Sequence, residues 1–465
     1  MNLNLLIDGS LVPGALSLDV INPATGQVLA TCTRADKRQL EQAVAAAKRA
    51  FPGWAATDIS ARKSSLTRIA DAMEARAGEF ARLLTQEQGK PLAEAQFEIG
   101  GGVAILRIFA EMDTPLVVRR EDDRQRVLEQ RLPLGVVATI TPWNFPLMLL
   151  VGKVAPALMA GNTVVSKPAP TTPLTALLFA EIVAEHVPAG VFNVIVDDND
   201  LGAELTSHPD VAKVSFTGST ATGKRVMESV SSTLKRLTLE LGGNDAAIVL
   251  DDVDVKEVAP HVFGTAMLNA GQVCLATKRV YVPAALYDEM CDELARLAKE
   301  AIVDDGLKQG TQIGPVQNKQ QYEKMKFYLD DAKESGTVIA GGEPLDRPGY
   351  FIAPTIVRDI PDTAPLVREE QFGPVLPILS YETLDDAILR ANDSEFGLGG
   401  TIWTADPERG LEAALKIESG TVWVNRHGLE FDLPLRGAKQ SGIGVEYGVE
   451  GYIEYTQGKI INMAL

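Results

Sequence analysis

Cys274 closes the run Gly271-Gln272-Val273-Cys274, and Thr277-Lys278-Arg279 follow it. A glycine before the sulfur and cations after it suit a loop that exposes a thiol and favours thiolate, the nucleophilic form. A lone cysteine is otherwise a small buried hydrophobe, and Cys32 and Cys291, which lack this setting, read that way. Glu240 lies in the apolar run Leu237-Thr238-Leu239-Glu240-Leu241, just before Gly242-Gly243-Asn244. Unpaired there, it would be pushed toward the pKa range of a general base. Paired with Lys235 or Arg236, it would be a structural carboxylate, and the segment alone leaves both readings open. Asn144 sits between two prolines in Thr141-Pro142-Trp143-Asn144-Phe145-Pro146. The prolines fix the turn and remove competing amide donors, so the carboxamide can serve as a rigid oxyanion donor or can simply hold its own turn.

Two further stretches suit a nucleotide. Lys167 ends an apolar run before Pro168 and can reach a ribose or phosphate, although a lysine so placed is more often solvated. Phe216-Thr217-Gly218-Ser219-Thr220-Ala221-Thr222-Gly223 follows a strand-like run and opens a helix, which would offer backbone amides to a pyrophosphate. Arg225 stands where a magnesium-binding Ser or Thr would follow Lys224, so a triphosphate loop is disfavoured.

These residues need a frame, and the chain supplies an alternating one. Leu40–Phe51 and Ser60–Gln88 carry apolar residues at helical spacing, and Gly89-Lys90-Pro91 stops the second. Short apolar runs at 135–140, 162–166, 192–196, 214–216 and 246–249 read as strands, with helices at 148–159, 172–186 and 202–207 between them. A second series follows: strands at 280–282, 337–340, 355–357, 375–379, 400–403 and 421–424, with helices at 287–301, 317–335, 383–392 and 407–416. The expectation is an α/β protein with two doubly wound parallel sheets. The charged segment 116–131 predicts a projecting hairpin, and 452–463 an exposed strand whose edge wants a partner.

The bulk numbers narrow the class. With 465 residues, 46% apolar and 23% charged, the chain is globular and long enough for two or three domains. A net charge of −18 makes nucleic acid a poor partner. The apolar stretch 146–161 is broken by Gly152, Lys153 and Pro156, so no membrane span is expected. Three scattered cysteines suggest a reducing compartment, four scattered histidines show no metal-ligand spacing, and the N-terminus lacks a basic leader, so a cytoplasmic protein without metal is expected.

Taken in order, TPWNFP, KPAP, SFTGST, LELGGN, GQVC, EEQFGPV and SGTVWVN, with the tail KQSGIGVEYGVEGYIEYTQGK, resemble the aldehyde dehydrogenase superfamily over essentially the whole chain. The resemblance implies that Cys274 attacks an aldehyde, Asn144 and the Cys274 N–H hold the oxyanion, and Glu240 activates water to hydrolyse a thioester. It puts Lys153 near the active site as an aid to proton movement. Trp143, Lys167, Gly218 and Ser219 would lie along the adenosine and pyrophosphate, and Glu370 and Phe372 would hold the nicotinamide end. It implies an NAD(P)-binding domain of residues 1–113 and 134–242, a catalytic domain of 243–440, and an oligomerisation hairpin and tail of 114–133 and 441–465. A homodimer or homotetramer follows.

Two departures from the family pattern matter. Pro170 replaces the glutamate that in strict NAD enzymes repels a 2′-phosphate, so Lys167 is expected to face such a phosphate and NADP is favoured alongside NAD. Gly152 stands where succinate-semialdehyde enzymes keep an arginine, so a roomy apolar pocket is expected, lined by Phe145, Leu149, Gly152 and Leu435, with Trp423 or His427 opposite. Medium aliphatic or aromatic aldehydes fit it. Arg426 or Arg436 supplying a cation from the other wall would instead suit a semialdehyde or a phosphorylated aldehyde. Retention of Glu240 separates the chain from relatives that pass the acyl group to coenzyme A, and its intact set of reactive residues separates it from a non-catalytic protein of the same fold.

Overall fold

The structure is a computed structural model and describes residues 3–465. Five strands, Val136–Ile140, Thr163–Lys167, Phe192–Val194, Val211–Thr217 and Arg236–Glu240, pair in parallel. Their spatial order is 192–194, 163–167, 136–140, 211–217, 236–240, so the direction of winding reverses between 136–140 and 211–217. A reversal of this kind opens a crevice at the carboxyl ends of the strands, which is where such sheets bind ligands. Helices cover both faces, which explains why the central strands are continuous apolar runs rather than alternating ones. The most buried helix, Pro146–Met159, has every residue inside, among them Gly152 and Lys153.

The second sheet has seven strands in the order Thr337–Ala340, Thr355–Arg358, Val375–Tyr381, Arg279–Pro283, Ala246–Val249, Gly399–Trp403 and Thr421–Val424. All pairs are parallel except the first. Each strand of both parallel series was legible as an apolar run.

Several elements differ from expectation, and the helix Val255–Met267 and the antiparallel pair Leu16–Asn22 with Gln27–Arg34 lie outside it altogether. The segment 60–88 forms two helices, Ile59–Ala75 and Ala77–Gln88, because the backbone leaves helical geometry at Arg76. The helix Leu92–Glu111 also lies outside the elements expected from the sequence, and it runs through Gly100-Gly101-Gly102, residues of low helix propensity. The glycines are there for close packing: a Cβ at Gly101 would sit 3.0 Å from the Met148 sulfur, and one at Gly102 would sit 2.9 Å from Met73 Cε. The hairpin forms from Val117–Glu121 and Gln125–Pro133, and the tail strand Thr456–Ala464 pairs along Gln125–Pro133. The preceding tail residues do other work. Gly442–Ile443 adds an antiparallel edge to strand Arg236–Glu240, and Gly448–Ile453 is helical.

Candidate active site

The register of the first sheet lines up its reactive ends. Lys167 pairs with Ile140, Ile140 with Phe216, and Thr217 with Glu240. Lys167 and Glu240 therefore mark two ends of one edge, separated by three strand spacings or about 14 Å. Between them, the turn after Ile140 carries Trp143 and Asn144, and the turn after Thr217 carries Gly218 and Ser219.

Cys274 comes from the other sheet's side, on a loop with an unusual backbone. Asn269, Ala270 and Gly271 have φ of 49°, 53° and 73°, three successive left-handed residues, which only strong external fixing sustains. That fixing is visible. The Asn269 carboxamide accepts from Gln88 Nε2 at 2.9 Å and donates to the carbonyls of Asn144 and Gln272 at 3.0 and 3.3 Å. Its backbone N–H donates to Glu94 Oε2 at 3.0 Å, and a Cβ on Gly271 would collide with the Gly373 carbonyl at 2.3 Å.

Asn144 is tied into the same loop: its Nδ2 donates to the Gln272 carbonyl at 2.9 Å. That uses one amide hydrogen and leaves the second. The turn itself rests on a buried ion pair. Lys90 Nζ lies 2.6 Å from Glu98 Oε2, donates to the Asn144 carbonyl at 2.9 Å, and sits 3.5 Å from the centre of the Phe145 ring. Glu98 Oε1 accepts from the N–H groups of Leu147 and Met148 at 3.0 and 3.1 Å, capping the buried helix.

The electrostatics do not match the expected thiolate. Burial pushes the Cys274 thiol up to about 12; Lys278 opposes this, and Glu370, Asp245 and Glu240 reinforce it. Lys278 donates to the Val273 carbonyl, while the Arg279 guanidinium is spent on the carbonyls of Asn244 and Ala391. In this state the sulfur is a half-buried thiol that needs a base.

Glu240 resolves the other way. Lys235 donates to the carbonyls of His208 and Val211, and Arg236 to Gln457, so neither pairs with it. Its Oε1 is buried with no hydrogen-bond partner. Burial, helped by the neighbouring charge of Glu446 and opposed by Lys153, raises its pKa well above the carboxylate range. Glu446 is the residue sequence reasoning missed. It pairs with the fully buried Lys153, accepts from Ser215 Oγ at 3.4 Å, and lies within the GVEYG run of the tail. An acidic residue in an otherwise glycine-rich, apolar stretch was the available signal.

Glu370 reaches over the Gly242-Gly243 turn, accepting from the Gly243 N–H at 3.0 Å, where a Cβ on Gly242 would meet its Oε2 at 2.5 Å. Phe372 has φ 55°, held by Gln321 Nε2 on its carbonyl at 2.9 Å, and meets Trp143 edge to face with ring centres 5.4 Å apart. Ser219 is exposed and caps the helix Thr220–Val230. Gly218 lies where a Cβ would strike the Phe216 ring at 2.6 Å. Pro170 lies in a turn beyond Lys167. The expectation of a free lysine there fails, because Lys167 Nζ is 2.6 Å from Asp197 Oδ1 and both residues are buried.

Phe145, Leu149, Leu435, Trp423 and Tyr447 belong to one apolar cluster against which Cys274, Leu429 and Phe431 pack. The room expected beside Gly152 is not there. A Cβ on Gly152 would meet the Tyr447 hydroxyl at 2.9 Å, and that hydroxyl is buried without a partner. Neither candidate arginine enters this cluster: Arg426 is exposed and pairs with Glu430 at 2.5 Å, and exposed Arg436 lies 3.9 Å from Glu450. His427 is bound to the Leu275 carbonyl at 2.7 Å, and burial lowers its pKa, so it is neutral near pH 7. Among the described residues no group of three His, Cys, Asp or Glu could hold a metal ion, and no helix is long and apolar enough to cross a membrane.

The half-buried Cys274 thiol, the Asn144 amide tied to its loop and the Glu240 carboxyl with its unpartnered Oε1 come together at the mouth of the doubly wound sheet. The chain belongs to the aldehyde dehydrogenase family, matching it over residues 12–461. It is 39% identical over 451 residues to the NADP-dependent succinate-semialdehyde dehydrogenase GabD of Escherichia coli (strain K12), covering 94% of this chain and 93% of that protein. It is 37% identical over 451 residues to the geranial dehydrogenase of Castellaniella defragrans, covering 95% and 94%. The solved NAD+ complex of an aldehyde dehydrogenase from Bacillus cereus superposes with a TM-score of 0.98 at 35% identity, covering 100% of this chain and 97% of that one. The protein oxidises an aldehyde with NAD or NADP as the oxidant.

Proposed function

We propose that Cys274, Asn144, Glu240, Lys153 and Glu446 carry out this oxidation on medium-sized aliphatic or aromatic aldehydes, releasing the free acid. Cys274 gives its thiol proton to water, and the resulting thiolate sulfur bonds to the aldehyde carbon. The remaining Asn144 Nδ2 hydrogen and the Cys274 N–H hold the oxyanion. Bound nicotinamide supplies a hydride acceptor. Loss of the carbon's hydride restores the carbonyl and leaves a thioester on Cys274. Glu240 then takes a proton from water, whose oxygen attacks the thioester; the C–S bond breaks and the acid leaves. The Glu446 carboxylate, held by the Lys153 ammonium, then takes the proton from Glu240.

The observation that carries this reading is the unpartnered Glu240 carboxylate, whose charge acts on the Cys274 thiol. The residues also suit a dinucleotide. Lys167 and Pro170 lie toward the adenosine end, Gly218 and Ser219 at the pyrophosphate, and Trp143, Glu370 and Phe372 toward the nicotinamide. Gly218 is required by the Phe216 ring, which a Cβ would strike at 2.6 Å. Neither Arg426 nor Arg436 enters the apolar cluster, and the buried cations Lys90 and Lys153 are neutralised by Glu98 and Glu446, which supports an uncharged substrate; one similar protein acts on geranial by its name.

The same reading divides the chain into a cofactor domain (1–113 and 134–242), a catalytic domain (243–440) and the hairpin with the tail. Val117, Val118, Ile460 and Met463 are exposed on the three-stranded sheet, which supports a homodimer or homotetramer through its edges. A cytoplasmic location belongs to this proposal. An aldehyde panel assayed with both cofactors, beside Cys274→Ala, tests it. Preference for succinate semialdehyde over aliphatic and aromatic aldehydes overturns the substrate class, and turnover in Cys274→Ala overturns the chemistry.

A further inference from the structure

Lys167 does not stand free at its strand end. Its Nζ is 2.6 Å from Asp197 Oδ1, with the two side chains 6% and 0% exposed. The other oxygen of Asp197 accepts from the Leu201 N–H at 3.0 Å, so the carboxylate is fixed in place. Asp197 opens the loop Asp197-Asp198-Asn199-Asp200, which leaves the neighbouring parallel strand at the same sheet edge. Asn199 takes a left-handed turn with φ 61°. The cation shared by the other two acids is Arg34, 2.5 Å from Asp200 and 3.7 Å from Asp198. Three carboxylates therefore face two cations here, and the loop's excess charge is negative.

We propose that Asp197 sets the choice between NAD and NADP by neutralising Lys167. The proposal rests on the reading that Lys167 lies at the adenine ribose. A free lysine would draw a 2′-phosphate, which carries close to two negative charges. A lysine already paired at 2.6 Å offers that phosphate no net charge, and the adjacent carboxylate repels it. A ribose hydroxyl meets no such repulsion. The carboxylate absent at Pro170 is thus supplied from another strand, which shifts the balance toward NAD.

Equilibrium titration of the full-length protein with NAD and with NADP, followed calorimetrically, tests this without turnover. The unaltered protein should bind NAD more tightly. Asp197→Asn keeps an acceptor for Leu201 and frees the lysine, so NADP should bind at least about tenfold more tightly relative to NAD, the change that a modest 1.4 kcal/mol produces. Asp197→Glu should keep the original order. An unchanged ratio in folded Asp197→Asn overturns the proposal, and so does an unaltered protein that binds NADP as tightly as NAD, whether or not the variant folds. Lys167→Ala separates the two levels: if it leaves both affinities untouched, the placement of Lys167 at the ribose is wrong.

Discussion

Replacing Lys90 by methionine tests how Asn144, the proposed oxyanion donor, is held. Lys90 and Glu98 are both 0% exposed at 2.6 Å, and no water-facing atom softens the loss. Removing the ammonium leaves the Glu98 carboxylate with only the Leu147 and Met148 N–H groups, and leaves the Asn144 carbonyl with only Asn269. Breaking one side of such a buried pair costs about 3–5 kcal/mol, because an uncompensated charge remains inside. Taking away Glu98's charge as well, in Lys90→Met/Glu98→Gln, should recover part of that loss while keeping a side-chain oxygen to accept from the Leu147 and Met148 N–H groups. Guanidinium unfolding of the three proteins measures the difference. The reasoning predicts the single variant to be the least stable, by more than about 1 kcal/mol against the double. Single-turnover rates should fall in both variants, since a shift of about 1 Å in Asn144 can cost on the order of 100-fold. A single variant as stable as the double, or native acylation rates in both, would refute the idea that the pair positions Asn144.

Other outcomes follow from the same geometry. Glu240→Gln should still reduce one equivalent of cofactor per site in a burst and then turn over about 100-fold or more slowly, as expected for loss of a general base; an absent burst with intact folding would assign Glu240 to acylation instead. With the Cys274 thiol up near about 12, kcat/KM for the aldehyde should climb with pH through neutral and mildly alkaline solution, and a flat profile would contradict the half-buried thiol. Glu240 has a folded pKa raised above its unfolded value, so it contributes stability below the unfolded value and loses it as pH rises through the folded one; Glu240→Gln should therefore gain stability relative to the unaltered protein toward alkaline pH, read by thermal melting. Gly152→Ala should push on the Tyr447 hydroxyl from 2.9 Å and lower kcat/KM for bulky aldehydes more than for small ones; an equal loss on all substrates would point to misfolding rather than pocket shape.

Much of this was legible before any coordinates. The strands at 246–249, 337–340 and 421–424 carry their apolar runs unmistakably, and the Gly, Pro and Asn punctuation around 141–146 and 271–274 announces turns that present side chains. What stayed hidden depended on partners distant in sequence. Gly100–Gly102 has low helix propensity, and its place in a helix makes sense only once Met73 and Met148 are packed against it. Lys167 looks free until a strand end thirty residues away brings Asp197 beside it. Lys278 and Arg279 look like activators of Cys274 until backbone carbonyls claim them. Gly152 looks like space until Tyr447 fills it.

The hydrogen bond from Asn144 to the Gln272 carbonyl has a consequence for how activity arises. The amide belongs to one sheet and the sulfur's loop to the other, so neither half of the polypeptide alone holds a working centre. During synthesis the donor emerges more than a hundred residues ahead of its thiol. On the proposed chemistry, a truncated product carrying either half alone should be inactive.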